Sequence, residues 1–481
     1  MPRPMVVLRP TDAETTGGLG RTLRERFSAV RAELGIDGSY PADALLEAER
    51  AAAAPPDAHT DLTDVPFFTL DPPGSMDLDQ AMHLERTGDG HRIRYAIADV
   101  PSFVRLGGEL DRTTRERGQT VYCPDERVPL HPPVLSEHAA SLLPGEVRPA
   151  YVWDLVLDPE GVTTSATVFR ALVRSRERLD YASVQRQVDG GGADERLILL
   201  REVGERRIAR EQARGGASLP MPEQQVQERP DGGYALEFRP PVAAEEWNAQ
   251  VSLLTGMAGA EMMLGAGTGV LRTMPAPDAD AVARFRRAAR GLGVAWPAGM
   301  RYGDLVRGLD RSNPRHLALI HEATSLFRGA AYTAFDGDLP DEREHAAVAA
   351  PYAHVTAPLR RLVDRFGLVV CEAACRGAEV PAAVREALPD LPGLMRESDR
   401  VARTAERACA DATEAAVLSG REGDRFRAVV VDRAEKGIEV QLVDLPVLVR
   451  LHGARGRLGA AVEVVLERAD VGAGEVVFTL G

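Results

Sequence analysis

The sequence has few cysteines, almost no lysine and no long apolar run. Its four cysteines among 481 residues are too few for a disulfide framework. Cys371 and Cys375 lie four residues apart without a Cys or His cluster to complete a zinc site, so we expect core packing there. No stretch approaches the roughly 18 apolar residues of a membrane span, and the N-terminus has no signal-peptide core. These absences predict a cytoplasmic protein that contacts no membrane.

The charge of the chain is strongly acidic. The formal net charge is −14, and Lys436 is the only lysine among the 58 lysine and arginine residues. This charge argues against a protein that coats nucleic acid non-specifically, but it leaves room for a local basic channel. Arginine suits bidentate contact with phosphate, although a GC-rich genome produces the same bias.

The order of the predicted elements favours an α+β protein. Residues 1–60 form a short helical region, which either packs onto a domain or belongs to a helix-turn-helix. Residues 61–422 predict a domain of mixed β-sheet and helix, with strand-like runs early and helices late. Residues 423–481 contain five strand-like runs, typical of an OB-type β-barrel. The long helices are predicted at 195–213, 245–265, 279–292, 315–334, 358–376 and 396–418.

One acidic loop concentrates chemistry-bearing side chains. Asp71, Asp77 and Asp79 lie within nine residues, and the Pro-Pro-Gly-Ser run between them forces a turn. Residues two apart in extended backbone point the same way, so Asp77 and Asp79 can converge while Asp71 returns across the turn. Carboxylate oxygens without His or Cys favour magnesium or manganese over zinc. A solvated acidic turn is the competing interpretation, and composition alone does not decide between the two.

The residues that flank this loop decide the matter. The loop ends in Asp77-Leu-Asp79-Gln80-Ala81, and a later block reads Thr356-Ala-Pro358-Leu-Arg360-Arg361 with Asp364 three residues on. These blocks resemble the Asp-x-Asp-Asp-Ala loop and the Thr-Ser-Pro-Ile-Arg-Arg-Tyr-x-Asp signature of the RNase II / RNase R (RNB) family of exoribonucleases. Further matches in the same order are Tyr95–Asp99, Gly108–Asp111, Thr120–Pro124, Val128–Pro132, Ser141–Pro149 and Gly215–Ser218.

The resemblance implies a magnesium-dependent hydrolytic 3′→5′ exoribonuclease that acts on single-stranded 3′ ends of RNA and releases nucleoside 5′-monophosphates. It implies metal ligation, by Mg²⁺ or alternatively Mn²⁺, at Asp71, Asp77, Asp79 and Gln80. It also implies an OB-type RNA-binding barrel at the C-terminus. We further expect a monomer.

The resemblance also assigns catalytic and RNA-contacting side chains. Asp79 is the most sensitive aspartate, and Arg360 or Arg361 neutralises charge on the scissile phosphate. Tyr122 stacks on the 3′-terminal base, a contact that every base can make. The remaining implied RNA contacts are Leu219, Thr356 and Glu406.

Each assignment has a plainer alternative. Tyr122 could pack in the core, the arginine pair could lie on a solvated helix face, and Glu406 could form a surface salt bridge. A Thr-x-Pro helix start at Thr356 favours anion binding over the second of these.

The sequence departs from the family at several positions. Gln80 replaces the last loop aspartate, so we expect activity with altered metal affinity, with loss of catalysis as the alternative. Leu219 stands where an aromatic residue commonly closes the base clamp, and Leu368-Val369 replaces a His-Arg pair. Residues 1–60 are too short for the family's paired cold-shock barrels, which suggests that structured RNA precursors are also accessible.

Three functions therefore compete. The leading one is the hydrolytic exoribonuclease. The second is an RNA-binding protein of the same fold with weakened or lost catalysis, which Gln80 and Leu219 suggest. The third, an unrelated metal phosphoesterase for small substrates, accounts poorly for Tyr122 and the barrel.

Overall fold

The computed structural model describes residues 6–9, 18–54, 60–217, 223–228, 234–239, 241–310, 313–434, 436–443, 445 and 447–481. Within them the α-helices are α1 (Gly18–Glu33), α2 (Ala42–Ala53), α3 (Glu109–Arg117), α4 (Tyr181–Asp189), α5 (Glu195–Arg214), α6 (Ala243–Ala266), α7 (Ala279–Gly291), α8 (Tyr302–Arg307), α9 (Pro314–Ala323), α10 (Leu362–Arg376), α11 (Ala382–Ala387) and α12 (Leu391–Leu418).

The β-strands fall mainly into two groups, one early in the chain and one at its end. They are β1 (Val6–Arg9), β2 (Thr60–Leu70), β3 (Gln80–Thr87), β4 (Gly90–Ala98), β5 (Val121–Tyr122), β6 (Arg127–Val128), β7 (Val147–Leu157), β8 (Thr163–Leu179), β9 (Glu223–Glu228), β10 (Tyr234–Arg239), β11 (Thr268–Thr273), β12 (Ala331–Asp336), β13 (Glu344–His345), β14 (Ala350–Pro351), β15 (Arg425–Ala434), β16 (Gly437–Leu442), β17 (Leu448–His452), β18 (Ala461–Asp470) and β19 (Glu475–Leu480).

The early strands close into a five-stranded barrel in the order β2-β3-β4-β7-β8. Strands β3, β4, β7 and β8 pair antiparallel in succession, and β2 closes the ring by pairing parallel to β8 and antiparallel to β3. The predicted hairpin around Thr87–Gly90 is the β3–β4 connection. The α+β class with mixed sheet is confirmed, but closure into a barrel was not part of the prediction.

Both faces of strands β4 and β7 are largely buried. Side chains on one face, including Tyr95 and Trp153, pack with α5, α6 and α10, while alternate residues such as Ala96 and Val152 pack with α2. Burial on both faces explains why residues 95–98 of β4 and 150–153 of β7 are continuous apolar runs.

Helix α6 packs closely against residues 352–355, which precede the arginine pair. Its glycines allow the close approach: a Cβ at Gly256 would lie 2.2 Å from the Tyr352 ring and 2.6 Å from the Ala353 carbonyl oxygen. Val355 contacts the same face at Gly259. A larger residue at Gly256 would therefore push the arginine-bearing segment away from the barrel.

The C-terminal strands form an antiparallel sheet in the order β17-β16-β15-β18-β19. The outer strands β17 and β19 contact each other, so the sheet nearly closes into a barrel. Its core includes Val430, Val440 and Leu466 together with α12. The predicted C-terminal OB-type barrel is thus confirmed as a feature of the fold.

The N-terminal helices pack onto the rest of the protein, which is one of the two arrangements that the sequence left open. Leu23 and Phe27 of α1 are fully buried against α12 and the C-terminal barrel. Ala48 of α2 is buried in the early barrel's cluster. The two helices therefore pack onto different parts of the molecule, although the division at residues 60 and 422 stays a prediction.

The helix predicted at 315–334 is wrong in its second half. Helix α9 ends at Ala323, and Ala331–Asp336 instead forms β12, which pairs with β11. Gly329 lies between them with a φ of 86°, a conformation that interrupts a helix and favours glycine. The helix predicted from 358 begins at Leu362, because the preceding residues form an irregular turn.

Candidate active site

The acidic loop lies at the open end of the early barrel, between β2 and β3. The Asp71 N–H donates to the Leu179 carbonyl oxygen at 3.1 Å, which ties the start of the loop to β8. The Ser141 hydroxyl donates to the Met76 carbonyl oxygen at 2.6 Å and accepts from the Leu78 N–H at 2.9 Å. These bonds fix the loop at both ends, as a preorganised site requires.

The predicted site residues meet in one cleft of about 690 Å³. Its walls include seven predicted residues besides Asp71, namely Asp77, Asp79, Gln80, Tyr122, Thr356, Arg360 and Arg361. Glu406 lines an adjoining cavity of about 270 Å³ that also contacts Tyr122 and both arginines. Leu219 lies outside the described residues. The structure therefore brings together side chains that are separated by up to 335 positions in sequence.

Asp79 is the most deeply buried of the three aspartates of the loop, with 5% of its surface exposed. Its Oδ1 accepts from the Leu359 N–H at 2.7 Å, and its Oδ2 lies 3.5 Å from Nε of Arg360. Burial raises the pKa of Asp79 well above its usual value, while Arg360 and the Leu359 N–H oppose this shift. Neutralisation by a cation would stabilise the ionised form.

Asp71 has an unsatisfied oxygen at the same place. Its Oδ2 is buried and has no hydrogen-bond partner among the described residues. Burial raises the pKa of Asp71 to about 7, against the opposing effects of Arg360 and Arg178. A buried carboxylate oxygen without a donor is costly, and a bound cation removes that cost.

Asp77 is paired with an arginine side chain. It forms an ion pair with Arg127, whose other nitrogen contacts Glu137 at 2.6 Å. Within the described chain, no three His, Cys, Asp or Glu side chains converge as a metal-binding group. The oxygen donors nevertheless suit a hard divalent cation, since Asp71 offers an orphaned oxygen and the buried Asp79 lines the same cleft.

The amide of Gln80 is occupied by hydrogen bonds within the protein. Its Nε2 donates to the Thr356 carbonyl oxygen at 2.7 Å, and its Oε1 accepts from the Tyr95 hydroxyl at 2.6 Å. The Tyr95 hydroxyl also lies 2.8 Å from Oγ of Ser252 on α6. Gln80 therefore joins the carboxylate strand to the arginine-bearing segment, in addition to lining the cleft. Thr356 itself is buried.

The two arginines have different surroundings. Arg361 forms two bonds of 2.9 Å with the fully buried carboxylate of Asp364. This pairing raises the pKa of Arg361 above its usual value despite burial. The side chain of Arg360 is 45% exposed, and its ion-pair partner is Asp79. Arg361 is thus fixed within the protein, whereas Arg360 faces the cleft with donors to spare.

Tyr122 stands at the junction of the two cavities. It ends the short strand β5, which pairs with β6 and is connected to the arginine segment through the Thr120 N–H, 3.0 Å from the Arg360 carbonyl oxygen. Its ring is 40% exposed, so core packing is not its role. Glu406 is partly buried, which raises its pKa.

The sequence also matches known family models over most of its length. Residues 59–370 match the RNB domain, and residues 424–481 match the RNase II-type exonuclease C-terminal S1 domain. The chain belongs to the RNB family. The resemblance inferred from the sequence motifs is confirmed.

Relatives and solved structures agree with this assignment. Ribonuclease R of Aquifex aeolicus (strain VF5) is 25% identical over 451 residues, which are 87% of this chain and 62% of that protein. The chain thus spans less than two thirds of that relative's length. The structure of Mycoplasma genitalium RNase R in complex with ribose-methylated single-stranded RNA matches with a TM-score of 0.85 at 16% identity, over 99% of this chain and 85% of the other.

The same fold also occurs without nuclease activity. Yeast Ssd1, described as a pseudonuclease, matches with a TM-score of 0.69 at 16% identity, over 89% of this RNB chain and 56% of its own. Likeness at such identity establishes the fold alone.

None of the described helices, including the 24-residue α6, has both the length and the apolar character that a bilayer crossing demands.

Several cleft residues of this RNB protein were missed by sequence reasoning. Asn248 and Ser252 of α6 line the cleft, as does Tyr181 at the start of α4, whose hydroxyl accepts from Nδ2 of Asn248 at 3.0 Å. A signal was present: Asn248 and Ser252 are polar residues four apart in a helix, so they share one face, and Glu245 one turn earlier also lines the cleft. Arg127 gave no comparable signal.

Proposed function

We propose that this RNB protein is a hydrolytic 3′→5′ exoribonuclease that depends on Mg²⁺, with Mn²⁺ as an alternative. It acts on the single-stranded 3′ end of RNA and releases nucleoside 5′-monophosphates. The observation that carries the proposal is one cleft in which buried carboxylates, a half-exposed arginine and an exposed tyrosine face each other. Carboxylates, a free guanidinium and a stacking ring are what phosphodiester hydrolysis at a strand end requires.

The carboxylates would hold the metal. Asp71 and Asp79 present buried oxygens, and Asp77 would exchange Arg127 for the cation. When bound, the cation supplies Lewis-acid stabilisation of the charge that develops on the phosphate oxygens. The neutral Gln80 amide sets the spacing between this strand and the arginine segment through Thr356.

The arginines divide the remaining work. Arg360 has donors free to contact the scissile phosphate, where a planar guanidinium binds two oxygens at once. Arg361 is a positioning residue, because its double bond to Asp364 fixes the turn that carries Arg360. Asp364 also accepts from the Ala357 N–H at 2.7 Å, which strengthens the same turn.

Tyr122 would stack on the 3′-terminal base, and the adjoining cavity would take the next part of the strand past Glu406. Stacking does not discriminate among bases, so cleavage can continue along any sequence. We also propose that structured RNA precursors are accessible substrates. An enzyme that stalls several nucleotides before every duplex contradicts that last proposal.

A second candidate is an RNA-binding protein with weakened catalysis. Gln80 supports it, because an amide contributes no charge to the metal site, and the pseudonuclease match shows that the fold permits it. The buried Asp79, the buried oxygen of Asp71 and the paired Arg361–Asp364 support the enzyme instead, because an inactive protein has no need of such costly ionisable groups.

One assay separates the candidates. The protein is incubated with 5′-labelled single-stranded RNA and Mg²⁺, with Asp79→Asn as the matched control. A shortening ladder with the native protein alone supports the exoribonuclease. Binding without shortening supports the second candidate, and neither binding nor shortening favours a phosphoesterase for small substrates. A DNA strand of the same sequence tests recognition of the 2′-hydroxyl.

A further inference from the structure

A second large cleft lies where the helices of the catalytic domain meet the C-terminal barrel. It has a volume of about 1090 Å³, and none of its lining residues lines the catalytic cleft. Its walls come from α7 and α9 on one side and from β15 and the loop before β18 on the other. We call it the arginine cleft, after six arginines in its walls: Arg284, Arg287, Arg290, Arg315, Arg433 and Arg457.

The charge of this cleft opposes that of the whole chain. Six arginines face two carboxylates, Glu322 and Asp432, so the cleft has an excess of four positive charges in a chain of net charge −14. All six arginine side chains are exposed. Some exposed arginines elsewhere have carboxylate partners, as Arg112, Arg400, Arg425 and Arg468 do. The six arginines of the cleft form no ion pair with a described residue. Clustered cations repel each other and attract an anion of matching extent.

The two carboxylates do not cancel this field. Burial and the neighbouring Asp432 raise the pKa of Glu322 to about 7, and a hydrogen bond joins the two groups. Near neutral pH Glu322 is therefore protonated part of the time, so the carboxylates offset less of the positive charge.

The lining of the cleft indicates what kind of anion fits. Arg284, Arg287 and Arg290 follow one another at three-residue intervals along α7, so they form a row instead of a single pocket. The uncharged lining residues are Ala, Gly and Leu, without an aromatic ring. A surface that offers guanidinium groups but no stacking platform binds a phosphate backbone and leaves the bases unread.

The cleft is held in shape by packing across the domain junction. Val431 of β15 is buried with Phe285 of α7 and Leu319 of α9 in one apolar cluster. The arginines of the barrel and of the helices therefore keep a fixed separation, and a bound strand does not have to bring them together.

We propose that the arginine cleft is a second RNA-binding site, which holds the phosphate backbone of the substrate upstream of the catalytic cleft. This inference rests on the proposed function, since it assigns the upstream part of the same RNA. An acidic protein segment is the other polyanion that the charge admits. The open row of arginines favours RNA, because evenly spaced diesters match it along its length.

The test compares two triple variants of the full chain. The first, Arg284→Gln with Arg287→Gln and Arg433→Gln, removes half of the cleft's arginines. The control, Arg21→Gln with Arg24→Gln and Arg50→Gln, removes the same charge from exposed positions on α1 and α2. Binding of RNA of about 30 nucleotides is measured in EDTA, where hydrolysis does not interfere, over a range of salt concentrations.

We expect the cleft variant to bind this RNA about tenfold or more weakly, with a salt dependence less steep by about 2 in the logarithmic slope. The control should bind as the native protein does. In Mg²⁺, kcat/KM should fall more for the long RNA than for an oligomer of about 5 nucleotides, which has few phosphates left for a second site. Parallel measurements with a single strand and with a duplex bearing a 3′ overhang distinguish which form of backbone the cleft holds.

Unchanged affinity of the cleft variant for both RNAs overturns the inference. Displacement of the RNA by poly-glutamate at equal charge concentration overturns the choice of RNA over an acidic partner. The two proposals fail separately. A native protein that never shortens RNA, but whose RNA binding depends on the cleft arginines, contradicts the proposed function and still supports RNA binding in the arginine cleft. Normal shortening with equal affinity in both variants contradicts the cleft alone.

Discussion

Nε2 of Gln80 donates to the carbonyl oxygen of Thr356 at 2.7 Å, across 276 positions of sequence. This single bond connects the strand that follows the carboxylate loop to the turn that carries Arg360. The Tyr95 hydroxyl holds the other end of the amide. Gln80, at which the sequence departs from the family, therefore connects the two halves of the candidate site.

Gln80→Glu tests that connection with a side chain of the same size. Replacement of the amide nitrogen by a carboxylate oxygen places two acceptors against each other at Thr356, at a cost of about 1–3 kcal/mol. We expect a lower melting temperature and a fall in kcat on single-stranded RNA. The sequence alone predicts that Gln80→Asp preserves or raises activity, because it restores a family aspartate. Native-like stability and activity of Gln80→Glu would show that the bond to Thr356 does not matter.

The arginine pair offers a test of divided roles. Arg360→Ala should lower kcat/KM by about 10²–10³-fold, as expected for a group that acts on the transition state. Its melting temperature should change less than that of Arg361→Ala. Arg361→Ala should lower stability by about 3–5 kcal/mol, because it leaves Asp364 buried without its partner. Thermal melts and kinetics of both variants decide the matter. Equal loss of stability in the two variants contradicts the assignment.

Tyr122 should contribute through its ring. We expect Tyr122→Ala to raise KM by about tenfold or more, since a base stacked on an aromatic ring gains about 1–3 kcal/mol. Tyr122→Phe should leave KM unchanged, because it retains the ring and removes only the hydroxyl. If Tyr122→Phe loses as much as Tyr122→Ala, the hydroxyl and not the ring is the functional group.

Glu322 predicts a pH dependence of stability. Its pKa is raised from 4.5 to about 7 in the folded protein, so the folded state binds the proton more tightly than the unfolded state. Stability is therefore lost as pH rises from about 4.5 to about 7, and the penalty stays constant above that. Allowing for solvent contact, Glu322→Gln should be about 1–2 kcal/mol more stable than the native protein at pH 8. At pH 4.5 the difference should vanish, as urea unfolding at the two pH values would show.

Local signals explain the parts that the sequence predicted well. The β3–β4 hairpin, the acidic turn and most helix ends depend on residues close in sequence. The side chain of Asp194 caps α5 through the Leu197 N–H, and Gly215 ends it in the left-handed conformation. Such features can be read without knowing the tertiary structure.

The parts that were missed depend on distant contacts. Closure of the early barrel requires β2 to pair with β8, about 110 positions away, and no local pattern specifies that pairing. The engagement of Gln80 by Thr356 and Tyr95 is equally remote, so no local pattern predicted this hydrogen-bonded link. The spacing of Asn248 and Ser252 places both on one face of α6, but which element that face meets depends on the tertiary structure.

In the proposed function, water breaks the last phosphodiester at the 3′ end of the RNA. The most direct measurement is the identity of the product released from the 3′ end of RNA by the native protein with Mg²⁺ in ¹⁸O-labelled water. The account predicts nucleoside 5′-monophosphates that carry one ¹⁸O on the phosphate. Nucleoside diphosphates, cyclic phosphates or the absence of any released nucleotide would contradict it.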